Sequence, residues 1–255
     1  MLKRLKSLWE HLTGCTQQTA GTLVSSDQWM AAEVRLPFLN HLSANERMRL
    51  RELSLHFIQS KAWQGAQGLE VSLEMQLDIA LQACLLILHR DLREYADWVE
   101  IIIYPGDFII PRQEIDDAGV VHEYDDHVMG EAWDHGPVLI SWFDDSIKSG
   151  HDGVNVVIHE FAHKLDMTNG GANGLPSMPA AARAQWINTF ETAYADFCQR
   201  VDAAEETCID PYAATDPAEF FAVVSEVFFE TPALLIQHYP VVHSELVTFY
   251  GQTPR

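Results

Sequence analysis

The chain has 255 residues, enough to bury the core of one large domain, and 47% of them are hydrophobic, which excludes a protein that is disordered throughout. Its 16 Lys and Arg against 37 Asp and Glu give a formal net charge of −21 with His counted as neutral. So acidic a chain repels phosphate backbones, which excludes direct binding to nucleic acid and favours basic partners.

The N-terminal residues are basic and carry Leu2, Leu5, Leu8 and Leu12 at helical spacing. This pattern predicts a terminal helix that docks on the protein or frays, with contact to an anionic membrane surface or a partner as the alternative. No export signal follows, and the most apolar window, residues 79–88, is shorter than the roughly 20 residues of a membrane span. We therefore expect no membrane-spanning segment.

Hydrophobic periodicity predicts helices first and strands after them. Apolar residues at three- and four-residue intervals predict helices over 43–61 and 71–95, and a further helical segment is expected at the C-terminal end. Between these helices, β-branched and aromatic runs bounded by turn residues predict strands. The predicted strands cover residues 98–104, 108–110, 119–124 and 137–142.

This order of elements favours one α+β domain. No internal repeat or low-complexity linker divides the chain, so we expect a single domain over residues 1–255. Residues 1–95 are expected to be mainly helical, and residues 96–255 to form a catalytic core with a small mixed sheet flanked by helices.

The four cysteines lie far apart in the chain and form no CxxC pair. They are Cys15, Cys84, Cys198 and Cys208. This usage favours reduced thiols, each a small buried side chain, in a cytoplasmic protein over a disulfide framework.

One short motif, His159-Glu160-Phe161-Ala162-His163, carries recognisable chemistry. No helix breaker interrupts the segment, and on a helix His159 and His163 project from one face, close enough for both imidazoles to bind one metal ion. Glu160 follows the first histidine, where its carboxylate reaches the reacting water as general base. The motif predicts a hydrolytic zinc site, with two histidines satisfied by carbonyls or water as the alternative.

A catalytic zinc site usually has three protein ligands, so one more is required. Asp166, near the same helical face, is either a ligand or, as we favour, an acceptor for an imidazole N–H. Downstream, Asp216 and Pro217 predict the start of an apolar helix on which Glu219 and Glu226 share one face. Buried carboxylates require a cation or hydrogen-bond donors. From these residues alone, Glu219 is equally well a metal ligand or a capping carboxylate.

Residues 157–166 (VIHEFAHKLD), residues 210–219 (DPYAATDPAE) and Ser225-Glu226 together resemble the Mlc titration factor A family of bacterial zinc peptidases. Weaker similarity at 103–105 and 136–139 extends the resemblance over most of residues 100–250. The resemblance implies that His159, His163 and Glu219 bind Zn²⁺. It also implies that Glu160 is the catalytic base. The fold it implies is zincin-like, similar to the gluzincins and to the anthrax lethal factor protease domain.

The same resemblance implies two functions. Members of the family act as peptidases of the aminopeptidase type, and they bind the glucose-responsive transcriptional repressor Mlc. Tyr212 matches a family tyrosine whose phenol is expected to donate a hydrogen bond to the oxyanion, with a packed tyrosine as the alternative. Glu226 and Asp166 are expected to orient the ligands.

Three functional hypotheses follow. We expect a zinc peptidase that acts on a peptide substrate. In addition or as the alternative, the protein binds and titrates a repressor without catalysis, and the third hypothesis is a hydrolase of other amides.

Residues 169–176, rich in Gly and Asn, predict a lid or, more simply, a connection. Acidic residues upstream of the motif are candidates to meet a basic peptide or partner, with a solvated face as the alternative. These are Asp107, Glu114, Asp116, Asp117, Glu123, Asp125, Asp126, Glu131 and Asp134.

Overall fold

The computed structural model describes residues 24–115, 121–143 and 154–254. The first two helices, α1 (Ser26–Arg35) and α2 (Ala44–Ser60), each begin with a capping box in which a serine and the third helical residue exchange hydrogen bonds. A short 3₁₀ turn (Pro37–His41) joins them. The leucine-bearing N-terminus and Cys15 lie outside the described residues.

The strand β1 (Ala62–Gly65) follows α2, and the helix α3 (Leu73–Leu86) follows β1. α3 is shorter than the predicted helix over 71–95. The chain leaves the helix after Leu86, and a separate 3₁₀ turn (Leu92–Tyr95) starts where the side chain of Asp91 accepts a hydrogen bond from the N–H of Arg93. β1 was not predicted, because four residues are too few to show an alternating pattern.

The remaining strands form two separate sheets. The strands β2 (Glu100–Tyr104), β3 (Phe108–Ile115), β4 (Val121–Val128), β5 (Gly130–Ala132) and β6 (Val138–Ser141) follow in chain order. Four strands form a sheet in the order β1-β2-β6-β5, in which β5 is the antiparallel edge strand and the other pairs are parallel. β3 and β4 form an antiparallel hairpin of their own. The end of β4 and all of β5 lie between the strands predicted over 119–124 and 137–142, in a stretch for which no strand was predicted.

Five helices complete the described fold: α4 (Val156–Asp166), α5 (Ala180–Asp202), α6 (Pro217–Glu230), α7 (Pro232–His238) and α8 (Pro240–Tyr250). Two 3₁₀ turns, Met167–Asn169 and Pro211–Ala214, precede α5 and α6. α4 lies between α6 on one side and β5 with β6 on the other. The helix that carries both motif histidines is thus held between the sheet and a second apolar helix.

A continuous hydrophobic core joins the helical start, the sheet and the helical end of the described chain. At its centre, Phe57 of α2 and Phe161 of α4 make edge-to-face contacts with each other and with Tyr95. Truncating a fully buried aromatic such as Phe161 would cost about 3–5 kcal/mol. The three described cysteines carry free thiols. In the described chain, no helix combines the length and apolar character needed to cross a membrane.

Candidate metal centre

The two histidines of α4 project from one face of that helix. His159 and His163 lie four residues apart, and their Nε2 atoms are 3.1 Å from each other. Asn155 caps the helix, since its side-chain oxygen accepts a hydrogen bond from the N–H of Ile158. The apolar face, with Phe161 fully buried, is anchored in the core. This anchoring directs both imidazoles toward α6.

Glu219 of α6 meets the histidines. Its Oε2 atom is 2.9 Å from Nε2 of His159 and 3.4 Å from Nε2 of His163. The cap of α6 is provided by Asp216, whose Oδ1 atom accepts hydrogen bonds from the N–H groups of Ala218 and Glu219. The carboxylate of Glu219 is therefore directed at the imidazoles while Asp216 satisfies the helix terminus.

Three ligand atoms converge here with the spacing that a metal ion requires. The ligand atoms offered by His159, His163 and Glu219 all lie within 4.8 Å of one another. A tetrahedral zinc ion binds nitrogen and oxygen at about 2.0–2.2 Å, which sets its ligand atoms about 3.3 Å apart. The observed separations of 2.9, 3.1 and 3.4 Å bracket this value.

The hydrogen bonding of His159 explains why a cation belongs between these atoms. Its Nδ1 lies 2.8 Å from Oε1 of Glu226, and because a carboxylate only accepts, Nδ1 must carry the proton. In the neutral imidazole, Nε2 then presents a lone pair to the carboxylate of Glu219. Two electron-rich atoms in contact are stable only with a proton or a metal ion between them, so the donor set fits a metal ion.

The pKa shifts of the metal-free residues reflect the same crowding. Burial of His159 opposes its protonation, but hydrogen bonds to Glu219 and Glu226 outweigh that effect and raise its pKa well above the ordinary value. Burial of Glu219 acts to raise its pKa, yet the hydrogen bonds to both histidines hold that pKa far below the usual range. Without metal, protons compensate the charge at this site.

Glu226 and Asn155 orient His159 from its Nδ1 side. Glu226 is 4% exposed, and besides the imidazole it accepts a hydrogen bond from the backbone N–H of Asn155. The side-chain amide of Asn155 donates to Gln82 of α3 and to Glu230 of α6, at 2.7 Å each. The structure shows Glu226 in contact with His159, and the role of Glu226 in orienting a metal ligand stays a prediction. The role of Asn155 was missed, because the sequence signal for a helix cap does not show which distant side chains its amide contacts.

Glu160 is enclosed between α4 and the edge strand. It is 4% exposed, and its Oε2 atom is buried without a hydrogen-bonding partner. Burial raises its pKa to about 7 although both neighbouring histidines act to lower it. A carboxyl group with a pKa near neutrality can both accept and return a proton, as a general base requires.

A pocket of about 560 Å³ opens over these groups. Its walls come from the end of β4, from β5, from α4 and from α6, and Tyr212 borders it from the 3₁₀ turn before α6. The Tyr212 ring lies 6.1 Å from the His159 ring, and its pKa is raised by burial and by the charge of Glu219. Tyr212 is 53% exposed, so its phenol borders the opening of the pocket.

Asp166 does not contact an imidazole in the structure. Its Oδ2 atom accepts hydrogen bonds from the N–H groups of Asn173 and Gly174, at 2.6 Å each. Its Oδ1 atom and Nδ1 of His163 are both buried without a hydrogen-bonding partner. Asp166 therefore anchors the segment that follows α4, and its predicted role toward the histidines stays a prediction.

The acidic residues upstream of the motif divide between the pocket and other surfaces. Asp126 and Glu131 line the pocket. Asp116 and Asp117 lie outside the described residues. Among the described acidic residues of this stretch, those that line the pocket come from the end of β4 and from β5.

Comparison with known proteins identifies the family. Residues 13–251 match the family described as glucose-regulated metallo-peptidase M90. The chain belongs to this metallopeptidase family. It is 38% identical over 222 residues to Mlc titration factor A of Klebsiella pneumoniae, which covers 86% of this chain and 84% of the relative. The proteins of the same name from Salmonella arizonae and Escherichia fergusonii are 38% and 37% identical over 222 residues, covering 86% of this chain and 88% and 84% of theirs.

Membership of the M90 family confirms the resemblance drawn from the three sequence motifs. A metallopeptidase family implies a metal ion, and the His159, His163 and Glu219 cluster is a possible site for it. The matched region, residues 13–251, includes the helical start for which the motifs gave no counterpart. The family therefore extends well upstream of the region that the motifs indicated.

Proposed function

We propose that this M90 protein is a zinc-dependent peptidase with a zincin-like core. The observation that carries the proposal is the position of Glu160 beside the donor set of His159, His163 and Glu219 at the base of an open pocket. The Glu160 carboxylate is buried, and its Oε2 atom has no hydrogen-bonding partner. His159, His163 and Glu219 hold the zinc ion. When bound, zinc supplies Lewis acidity that polarises the scissile carbonyl and acidifies water.

Glu160 accepts the proton of the attacking water and returns it to the leaving amine. Its Oε2 atom is buried without a hydrogen-bonding partner, which supports this role. Glu226 keeps His159 in one tautomer by accepting its Nδ1 proton. The phenol O–H of Tyr212 donates a hydrogen bond to the developing oxyanion at the mouth of the pocket.

The edge strand supports a peptide as the substrate. In the described sheet, β5 pairs only with β6. The N–H of Ser141 donates to the carbonyl of Met129, and the N–H of Trp133 donates to the carbonyl of Pro137. Because hydrogen bonding alternates along an antiparallel pair, Gly130 and Ala132 direct their backbone groups away from β6. Both residues line the pocket. An extended peptide can add to such an edge as a further strand.

The charge of the pocket favours an aminopeptidase. Among the described residues that line it, carboxylates are present and neither Lys nor Arg is. Asp126 and Glu131 contribute negative charge from the strand side, where the free ammonium group of a peptide would be attracted. Aminoacyl anilides should therefore be hydrolysed faster than their N-acetylated forms. Equal rates would contradict the aminopeptidase type while leaving the peptidase proposal intact.

The variant Glu160→Gln tests the peptidase proposal. It should keep a stoichiometric metal ion and lose about 10²–10⁴-fold in kcat, because the amide cannot accept a proton. Metal content is measured by elemental analysis and turnover by peptide hydrolysis. Glu206→Gln is the control for the loss of a carboxylate, because Glu206 is exposed and does not line the pocket, and it should keep full turnover. Full turnover by metal-loaded Glu160→Gln would refute the proposal, and so would a wild-type protein that binds no zinc.

A second function is favoured by the relatives, which are named Mlc titration factor A. We propose that this protein also binds a transcriptional repressor of the Mlc type in the cytoplasm, where its free thiols stay reduced. The net charge of −21 favours a basic surface of that partner over nucleic acid. If Glu160→Gln still retains the purified repressor in a pull-down, binding is independent of catalysis. Failure of the wild-type protein to bind the repressor at physiological salt would contradict this second function.

A further inference from the structure

Gly130, the first residue of β5, lies directly on the side chain of Glu160. A Cβ atom built on Gly130 would overlap Oε1 of Glu160 and would stand 2.7 Å from its Cγ and 2.7 Å from Cγ2 of Val156. Real Cβ contacts essentially never fall below 3.0 Å. Any side chain at position 130 therefore requires either the strand to move or both the Glu160 carboxylate and the Val156 side chain to give way.

The backbone does not explain this glycine. Gly130 is not among the glycines with positive φ, so an L-residue could adopt its conformation without strain. Glycine is required at position 130 because the side chains of Glu160 and Val156 leave no space for a Cβ atom. By contrast, Gly174 combines a φ of 77° with a close approach to the carbonyl of Pro217, so its backbone conformation also requires glycine.

Neither β5 nor the side chain of Glu160 has room to move away from the other. β5 is held to β6 by the hydrogen bond from Ser141 N–H to the carbonyl of Met129, at 2.7 Å. The turn after β5 is fastened to α4 by Lys164, whose Nζ donates to the carbonyls of Trp133 and Gly136. Lys164 is 3% exposed, so water does not replace these bonds. On the other side, the Glu160 side chain is itself enclosed.

We propose that Gly130 is a positioning residue for the base, a role that rests on the peptidase function proposed above. The missing side chain leaves the space in which the Glu160 carboxylate is held at the pocket. The backbone of the same residue faces the edge where a peptide would pair. One residue thus sets the distance between the base and the substrate strand.

Activity measurements separate this role from metal binding. Gly130→Ala should lower kcat by about 10–100-fold because the carboxylate is displaced by about 1 Å or more. KM should change less than kcat, and zinc affinity, measured by competition with a chelator, should stay within about threefold of wild type because the displaced group is not a ligand. Ala62→Gly, on β1 at the opposite edge of the same sheet and outside the pocket, is the control and should keep wild-type kcat. An unchanged kcat in Gly130→Ala, with wild type active, would overturn the inference.

Thermal unfolding of the metal-free protein tests the contact without any turnover. Gly130→Ala should lower the Tm by about 2–10 °C, the range expected for overpacking a buried site in a chain of this size. In a Glu160→Ala background the overlap with the carboxylate is removed and only the approach to Cγ2 of Val156 remains, so the same substitution should lower the Tm by a smaller amount. Equal losses in both backgrounds would overturn the inference. Wild type that cleaves no peptide, together with the expected coupling in Tm, would instead refute the peptidase proposal and leave the steric contact established.

Discussion

The helix pair α4 and α6 and the hairpin β3–β4 both contribute to the pocket, but they are built differently. The helices are apolar and buried, and the polar groups between them are joined in a chain of hydrogen bonds from Asn155 through Glu226 to His159. The hairpin strands pair with each other rather than with the four-stranded sheet. Large apolar side chains on them are exposed: Ile109 by 52%, Val121 by 53% and Tyr124 by 43%.

This difference assigns different tasks to the two regions. A metal ion requires ligand atoms held within a few tenths of an ångström, which buried helices provide. A two-stranded hairpin is marginal in water on its own and gains stability from what packs on it. The hairpin reaches the pocket through Asp126 and Val128. We therefore expect changes in the helices to alter metal binding and changes in the hairpin to alter substrate binding.

The largest expected effect separates two carboxylates on α6. Glu219→Gln should abolish stoichiometric zinc binding, because it removes a ligand. Glu226→Gln should retain zinc with affinity reduced about 10–100-fold, because it weakens only the hydrogen bond to His159 Nδ1. Chelator competition measures both. Equal losses for the two variants would show that Glu226 is itself a ligand and would break the proposed donor set.

A smaller effect is expected at Asn155. Asn155→Ala should lower the Tm by about 1–8 °C through the lost helix cap, and should weaken zinc binding because the amide no longer joins α3 to α6. Asn155→Ser keeps a capping oxygen but loses the amide donors to Gln82 and Glu230. The serine variant should recover most of the Tm without recovering zinc affinity. If zinc affinity recovers together with the Tm, the amide has no part in ordering the site.

The smallest effect is expected on the hairpin. Val128→Ala should raise KM for a peptide about two- to tenfold by removing apolar contact from the pocket wall, with zinc affinity unchanged. Val121→Ala, on the same strand but not lining the pocket, should change neither quantity. Steady-state kinetics of the two variants side by side provides the measurement. Altered zinc affinity in Val128→Ala would contradict the division of tasks between the regions.

The parts predicted from sequence are those with local signals. The spacing of His159 and His163 and the cap formed by Asp216 need only the residues beside them, and both have the expected helical setting. The predicted helix over 43–61 agrees with α2 to within one residue at each end, because Ser43 and Glu46 form a capping box. The wider family resemblance was required to choose between the two roles of Glu219.

The remaining features depend on tertiary contacts that the sequence does not show. Gly130 gives no sign in the sequence of the carboxylate that lies against it, since Glu160 approaches from another element. Asp166 has the right helical spacing to face His163, but the backbone N–H groups of Asn173 and Gly174 compete for its carboxylate. Sequence spacing identifies which groups share a face, and packing decides which partner each one takes.

The pairing of His159 with Glu226 joins residues 67 positions apart in the chain. Closing a loop of that length costs conformational entropy before any contact compensates for it, so we expect the site to form late in folding, after α5 has brought α6 back against α4. An unfolded or partly folded chain then offers no preformed site, and metal binding becomes coupled to complete folding. Uptake of a metal ion by newly made protein would report that α4 and α6 have reached their final arrangement.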